Sequence, residues 1–287
     1  MTDVFTANLF IAIGLTVVTQ AIQIGSYAAR YAGVISGRIA TAISLFTLLV
    51  TASRLASLFM VPSLGALADL PANYASAHHL AELPPDMLAR VDLQMRLIVG
   101  ANTLGVLAGA VLIPLFLTMF LRGIGAFERL GSVPGALMRL FDPRVIRDLF
   151  VALIRPPSLR FADFPIAGVP RKLLIANCVL YAVYSVGVVG AFYASDLDLH
   201  ARTTASGLSG LVNGIGTIAF ALFIDPTSAL IVDQTVRNER PKADVRAMIF
   251  WLIVTAFVGT LLAQLILTPA ARYIAAVANF WITHANR

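Results

Sequence analysis

Residues 39–68 read IATAISLFTLLVTASRLASLFMVPSLGALA, a run in which Arg54 is the single charged side chain. An uncharged run of this length exceeds the roughly 20 residues that an α-helix needs to cross a bilayer. Over all 287 residues, 59% are hydrophobic and only 13% are charged, whereas soluble domains carry about 25% charged residues. The sequence therefore predicts an all-α, polytopic membrane protein.

Six uncharged or nearly uncharged stretches are long enough to cross the bilayer, and we treat residues 1–287 as one transmembrane domain. The predicted spans are 4–29, 39–68, 97–121, 173–195, 203–232 and 247–271. The tail at 272–287 is too short to cross again, and its aromatic residues are typical of an interfacial helix.

The connection at 122–172 predicts a cytoplasmic amphipathic segment. Within it, FDPRVIRDLFVALIRPP (residues 141–157) offers Asp142 as a helix N-cap, Pro143 at the first helical position and a Pro-Pro stop. The helix either lies on the membrane surface or forms a basic patch that gathers anionic lipid at the entrance of a cavity.

Basic residues are unevenly divided between the two sides of this arrangement. Fifteen of the 21 Lys and Arg fall on one side and five on the other, with Arg54 inside a span. The positive-inside rule places the first side in the cytoplasm, so we expect both termini outside. The single cysteine, Cys178, lies inside a span, which excludes a disulfide framework. In this context the basic excess marks orientation rather than nucleic-acid binding.

A shift of 164 residues superimposes 38–69 on 202–233 without a gap. An arginine opens each segment, and an LFxxP turn followed by an aspartate closes each, with Pro62 over Pro226. Common ancestry would make two three-helix halves of opposite orientation, an inverted 3+3 repeat with a substrate site near the midplane. Chance similarity is the alternative.

Charged groups within the spans are the candidate functional residues. Arg54 costs about 2.5–3.5 kcal/mol at mid-bilayer on insertion scales, so it faces either a water-filled substrate cavity or a structural partner. Asp225 is the one acid inside a predicted span, and it precedes Pro226, where the helix can open. We expect Asp225, Pro226 and Pro62 at helix breaks, with Asp225 acting in coupling or as a cap.

Polar residues on the first span lead towards Arg54. Gln20, Gln23 and Tyr27 share one helical face, and Arg30 and Arg38 follow them. They form either a polar wall that begins at the cytoplasm or ordinary interhelical hydrogen bonds. In the fifth span, the small-xxx-small pair at 210 and 214 predicts close helix packing or a flexible point.

Enzyme signatures are missing from the sequence. His78–His79 has no HExxH spacing, no GxSxG motif occurs, and the three glutamates fall in predicted loops. We therefore predict no catalytic residue, metal site or cofactor.

Residues 27–69, YAARYAGVISGRIATAISLFTLLVTASRLASLFMVPSLGALAD, resemble the signature of the Amj family of bacterial lipid II flippases, which can substitute for MurJ. The similar pattern is AR-x-AG-V, a basic residue that opens the second span, S-L-F, S-R and P-x-LG-x-L-x-D. In this sequence the pattern falls on Arg30, Ala32–Gly33, Arg38, Ser44–Phe46, Ser53–Arg54, Pro62, Leu64–Gly65 and Asp69.

The resemblance implies that the protein flips lipid II, an undecaprenyl-pyrophosphate-linked disaccharide-pentapeptide, across the bacterial cytoplasmic membrane. Arginine suits bidentate phosphate contacts, so our hypothesis is that Arg30, Arg38 and Arg54 form a ladder for the pyrophosphate. The lipid tail would stay among the membrane lipids, with a cavity that opens sideways or forms within a homodimer. The alternatives are a secondary transporter of a small organic anion, an undecaprenyl-pyrophosphate phosphatase and a passive scaffold.

Overall fold

The computed structural model of the chain describes residues 4–132, 135, 138–139, 142–154 and 164–285. These residues form helices and no strand, which confirms the predicted all-α class. The helices are α1 Ala7–Gly25, α2 Ala28–Ser36, α3 Ile39–Leu58, α4 Met60–Ala77, α5 Pro85–Val111, α6 Ile113–Leu130, α7 Pro143–Ile154, α8 Arg171–Leu197, α9 Arg202–Ala219, α10 Asp225–Val236 and α11 Lys242–Ala285. A 3-10 turn at Ile166–Gly168 precedes α8, and a π-helical turn at Phe220–Ile224 joins α9 to α10.

Six helical segments of the described chain are long and apolar enough to cross a membrane, as the sequence predicts. We call them spans 1 to 6: Ala7–Ser36, Ile39–Ala77, Pro85–Val111, Arg171–Leu197, Arg202–Val236 and Lys242–His284. The protein is therefore a multi-pass membrane protein, and α6 and α7 are not among the spans.

The third span lies closer to the N-terminus than the predicted 97–121. Its helix ends before Pro114, whose ring nitrogen cannot donate to the carbonyl of Ala110. At its N-terminal end, the helix continues past the charged residues at which the predicted span stopped. These charged residues are accommodated in the helix because they are paired. Arg96 Nε lies 2.7 Å from Asp92 Oδ2, and its guanidinium also donates to two groups of α11.

The predicted tail is a continuation of the last span. Helix α11 runs without interruption from Lys242 past Ala271 to Ala285, although it contains Pro269. Ile274 and Ala278 are buried against the core, so the C-terminal turns have an apolar face to pack. Residues 286–287 lie outside the described chain, and the interfacial position of the tail stays a prediction.

Helix α7 begins at Pro143, as predicted. The backbone N–H of Arg144 donates to Asp142 Oδ1 at 2.9 Å, which caps the first turn. The predicted Pro-Pro stop lies at 156–157, outside the described residues.

Spans 2 and 5 both lose regular α-helical geometry at their LFxxP turns. In span 2, α3 ends at Leu58 and α4 begins at Met60, because Pro62 cannot donate to the Leu58 carbonyl. In span 5, the π-helical turn at Phe220–Ile224 immediately precedes Asp225 and Pro226. The two predicted breaks thus fall at matching positions, whereas the inverted repeat itself stays a prediction.

Close packing in the bundle core depends on glycines of α5 that face α1. A Cβ on Gly109 would lie 2.7 Å from Ile24 Cβ and 2.8 Å from the Ala21 carbonyl oxygen. Gly105, one turn earlier, is equally close to Gln20. The absence of a side chain at these positions therefore lets α5 and α1 approach each other.

Of the two alternatives for Gly210 and Gly214, close packing is wrong, and a flexible point stays a prediction. A Cβ at either position would have no atom within 4 Å, because no other helix of the described chain covers this face of α9.

We expect Gly109→Ala to lower the thermal unfolding midpoint of the purified protein, since overpacking costs about 1–3 kcal/mol. Gly210→Ala is the matched control, because the added methyl meets open space and alanine favours a helix. The prediction is contradicted if both variants unfold at the wild-type temperature.

Candidate functional site

A polar cavity lies among six helices of the bundle, and we call it the central cavity. Its volume is about 90 Å³, and α1, α3, α4, α5, α8 and α9 all contribute to its wall. Its polar lining residues are Thr16, Thr19, Gln20, Gln23, Ser53, Arg54, Ser57, Asn102, Tyr184, Ser185 and Asn213. A polar chamber inside an apolar bundle is a candidate binding site.

Arg54 supplies the positive charge of the central cavity. Its side chain is exposed and makes no hydrogen bond or ion pair with any residue that the structure describes. The neighbouring Ser53 hydroxyl donates to the carbonyl of Thr19 at 3.0 Å, which fastens α3 to α1. The guanidinium is therefore held at the cavity wall without a protein anion to neutralise it.

Two buried polar atoms of cavity-lining residues also have no partner within the described chain. They are the side-chain amide nitrogen of Gln20 and the hydroxyl oxygen of Ser185. An unpaired buried polar group is costly, so a ligand or water that bonds to it is favoured. No acid is among the described residues that line the cavity, so the arrangement favours an anion.

The central cavity has a back wall of packed helices and an open side. Helix α1 packs on α5 and α5 packs on α8, whereas α3 and α9 scarcely contact each other within the described part of the chain. Apolar side chains are exposed on either side of this gap, among them Leu55 of α3 and Ile215 and Ile218 of α9. Exposed apolar surface of this kind is typical of contact with a membrane, so we expect the gap between spans 2 and 5 to face the hydrocarbon of the bilayer.

Arg30 lies outside the central cavity and forms an ion pair with Asp225. Its guanidinium is 2.9 Å from Asp225 Oδ1, and its side chain is 11% exposed. The same group lies 4.8 Å from the centre of the Tyr27 ring and 5.1 Å from that of Phe46, both within cation–π range. Asp225 thus pairs with Arg30, linking span 1 to span 5.

Arg38 lies outside the central cavity at the start of α3. Its Nε is 2.5 Å from a carboxylate oxygen of Glu128, and both side chains are solvent-accessible. Sixteen residues of helix separate it from Arg54, which corresponds to about 24 Å. The three candidate arginines consequently do not converge on one point in this conformation.

Tyr27 also lies outside the central cavity, although it shares a face with Gln20 and Gln23 in the sequence. Helix α1 ends at Gly25, and the Ser26 hydroxyl donates to the carbonyl of Gln23 at 2.6 Å, which favours a bend. After the bend, the Tyr27 hydroxyl is 3.0 Å from that of Tyr181. Gln20 and Gln23 of the predicted polar wall therefore line the cavity, whereas Tyr27 contacts Tyr181 outside it.

The two prolines predicted at helix breaks lie outside the central cavity. Pro62 and Pro226 follow the irregular turns described above and do not line the central cavity.

A second ion pair lies on the opposite side of the central cavity. Arg202 at the start of span 5 pairs with Asp69 in the second half of span 2. Close to them, Asp196 is only 2% exposed, and neither of its carboxylate oxygens has a partner within the described chain. Asp196 was missed at the sequence level because the predicted span ended one residue before it.

Asp198 organises the loop next to this ion pair. Burial acts to raise the pKa of Asp198, but hydrogen bonds from the Asn279 amide and from the backbone N–H groups of Ala201 and His200 outweigh it. The pKa of the carboxyl is consequently below its usual value, and the group stays ionised near neutral pH.

Known proteins resemble this chain along nearly its whole length. A sequence model of the Amj family, described as alternate to MurJ, matches residues 15–278. The chain is 29% identical over 284 residues to the lipid II flippase Amj of Bacillus subtilis (strain 168), covering 98% of each protein. No solved structure matches. The matched range includes every residue that lines the central cavity.

We expect Asp225→Asn to lower the free energy of unfolding by about 1–2 kcal/mol, because Arg30 would be left buried without an acid. Asp233→Asn on the same helix is the control, since Asp233 pairs with the exposed Arg237 and such pairs contribute well under 1 kcal/mol. The measurement is unfolding by SDS in mixed micelles. Equal stability of the two variants would show that the Arg30–Asp225 pair does not stabilise the folded protein.

Proposed function

Because this chain belongs to the Amj family, alternate to MurJ, we propose that it flips lipid II from the inner to the outer leaflet of the bacterial cytoplasmic membrane, as the name of its Bacillus relative states for that protein. The observation that carries the proposal is Arg54, a cation without an acid partner among the described residues. It lies in a polar cavity whose open side faces lipid. A lipid-linked pyrophosphate can reach such a cation while its tail stays in the bilayer.

Arg54 binds the pyrophosphate in this proposal, since a guanidinium fits phosphate oxygens through two parallel hydrogen bonds. The unpaired amide of Gln20 and the hydroxyl of Ser185 are further donors at the cavity wall. Because a single water needs about 10–15 Å³, a cavity of about 90 Å³ holds several waters or a small anion. The disaccharide-pentapeptide must therefore pass through the open side, between spans 2 and 5.

Arg38 and Arg30 precede Arg54 on the cytoplasmic side of this route. Each is now paired with a carboxylate, Glu128 and Asp225 respectively. Pyrophosphate can replace those carboxylates one after the other, since it offers the same oxygen geometry with more charge. The ladder thus works by exchange of anions, and release of Asp225 frees span 5 from span 1.

The direction of transport needs no nucleotide hydrolysis. Each negative charge that leaves an inside-negative cell gains about 2.3 kcal/mol per 100 mV, and consumption of the precursor outside adds a concentration gradient. The described residues that line the cavity include no acid for general acid–base chemistry, which favours a transporter over a phosphatase.

We expect Arg54→Gln to reduce lipid II flipping at least tenfold, because a charged hydrogen bond contributes about 1.5–3 kcal/mol. The measurement is the accessibility of lipid II in the outer leaflet of vesicles that contain the purified protein. Arg237→Gln is the control, since that exposed arginine pairs with Asp233 away from the cavity. Arg30→Gln and Arg38→Gln should slow flipping to intermediate rates.

Two outcomes separate the parts of this proposal. Normal flipping by Arg54→Gln would exclude the site, and no flipping by the wild type would exclude the function. Uptake of a water-soluble organic anion in place of lipid exchange would favour the small-anion transporter.

We also propose that both termini lie outside the cell, from the distribution of Lys and Arg. In a Cys178→Ser background, Glu82→Cys between α4 and α5 should react with an impermeant thiol reagent on intact cells. Glu239→Cys between α10 and α11 should react only after lysis. Both glutamates are exposed, so the reverse pattern would invert the orientation.

A further inference from the structure

A second cavity, of about 370 Å³, lies between α6 and α7, outside the six spans, and we call it the basic cavity. Four arginines line it: Arg122, Arg129, Arg139 and Arg144. Asp142 is the one acid among its described lining residues. The volume falls within the range of small-molecule sites, and the lining has a strong positive excess.

The sequence of α6 explains why this cavity is both open and basic. Arg122 and Arg129 are seven residues apart and therefore on one face of the helix. Gly125 and Ala126 lie between them on that face and line the cavity as well. A Cβ at Gly125 would have no atom within 4 Å. Small residues thus leave room between the two guanidinium groups.

Two of the four arginines have acid partners, and two do not. Arg122 pairs with Asp148, and Arg139 with Asp142. Within the described chain, Arg129 and Arg144 have no ion pair or side-chain hydrogen bond, and both are exposed. These two guanidinium groups are free to bind an external anion.

The surface of helix α7 is typical of a helix at the level of the lipid headgroups. Ile146, Phe150, Leu153 and Ile154 recur at helical spacing, and Phe150 and Ile154 are 61% and 76% exposed. Arg147 borders this stripe, and Arg144 lies on another part of the helix surface. An exposed apolar stripe beside basic residues is the pattern of a helix that lies in the membrane interface, where the nearest anions are lipid phosphates.

We infer that the basic cavity is a binding site for the phosphate of an anionic membrane lipid, held chiefly by Arg129 and Arg144. Arginine binds phosphate oxygens bidentately, and a basic cavity at the membrane surface is complementary to an anionic headgroup. The inference is independent of the substrate proposed for the central cavity. It requires only that α7 lie in the interface.

The test is titration of the delipidated full-length protein in neutral detergent with phosphatidylglycerol, with bound lipid counted by native mass spectrometry. We expect Arg129→Gln/Arg144→Gln to weaken phosphatidylglycerol binding about tenfold or more. The control is Arg147→Gln/Arg237→Gln, which removes the same charge from positions that do not line the cavity. It should change the affinity less than twofold. All four arginines are exposed, so we expect both variants to melt at the wild-type temperature.

Three results would overturn the inference. An equal loss in both double variants would mean nonspecific attraction, and equal binding of phosphatidylcholine would mean that the phosphate charge is not recognised. Inorganic phosphate or pyrophosphate that displaces the lipid at equal concentration would identify a site for soluble anions instead.

Discussion

A guanidinium inside a bilayer must be solvated by something other than hydrocarbon, since a bare charge at that depth costs several kcal/mol. Arg96 meets this requirement with Asp92 and groups of α11, and Arg30 meets it with Asp225 and two aromatic rings. Arg54 has no such partner among the described residues, and it lies at the wall of a polar cavity instead. The packing of α1, α5 and α8 behind that cavity, and the gap in front of it, leave this one cation accessible.

Ion pairs join spans that otherwise scarcely touch. Arg30–Asp225 connects span 1 to span 5 on one side of the central cavity, and Asp69–Arg202 connects span 2 to span 5 on the other. Both pairs leave at least one side chain accessible to solvent. Because one member of each pair is accessible, another anion can reach the arginine and take the place of its carboxylate.

Local signals in the sequence predicted the helices and their breaks well. The number of spans, the start of α7 behind Asp142 and the breaks near Pro62 and Pro226 depend on apolar run length, capping and proline chemistry, which act within a few residues. Helical periodicity placed Gln20 and Gln23 on one face and both line the cavity, whereas Tyr27, predicted on the same face, does not. Each prediction that the structure confirms depended on a property of a single helix.

Partners distant in the sequence could not be predicted in this way. Arg30 and Asp225 are 195 residues apart, and nothing local pairs them. Asp92 and Asp196 lay outside the predicted spans because hydropathy treats any charge as a boundary, whether or not the fold pairs or buries it. The glycines of α9 were expected to pack closely, yet a small residue shows only that close approach is allowed, not that a neighbour is present.

The irregular turns in spans 2 and 5 have a mechanical consequence. A regular helix in a membrane resists bending because each backbone hydrogen bond broken in hydrocarbon costs several kcal/mol. Near Phe59 and within Phe220–Ile224 the regular bonding pattern is already interrupted, so these points can act as hinges at little cost. The two arms of each span can then swing separately, and the ends of the gap can open one at a time while α1, α5 and α8 stay still.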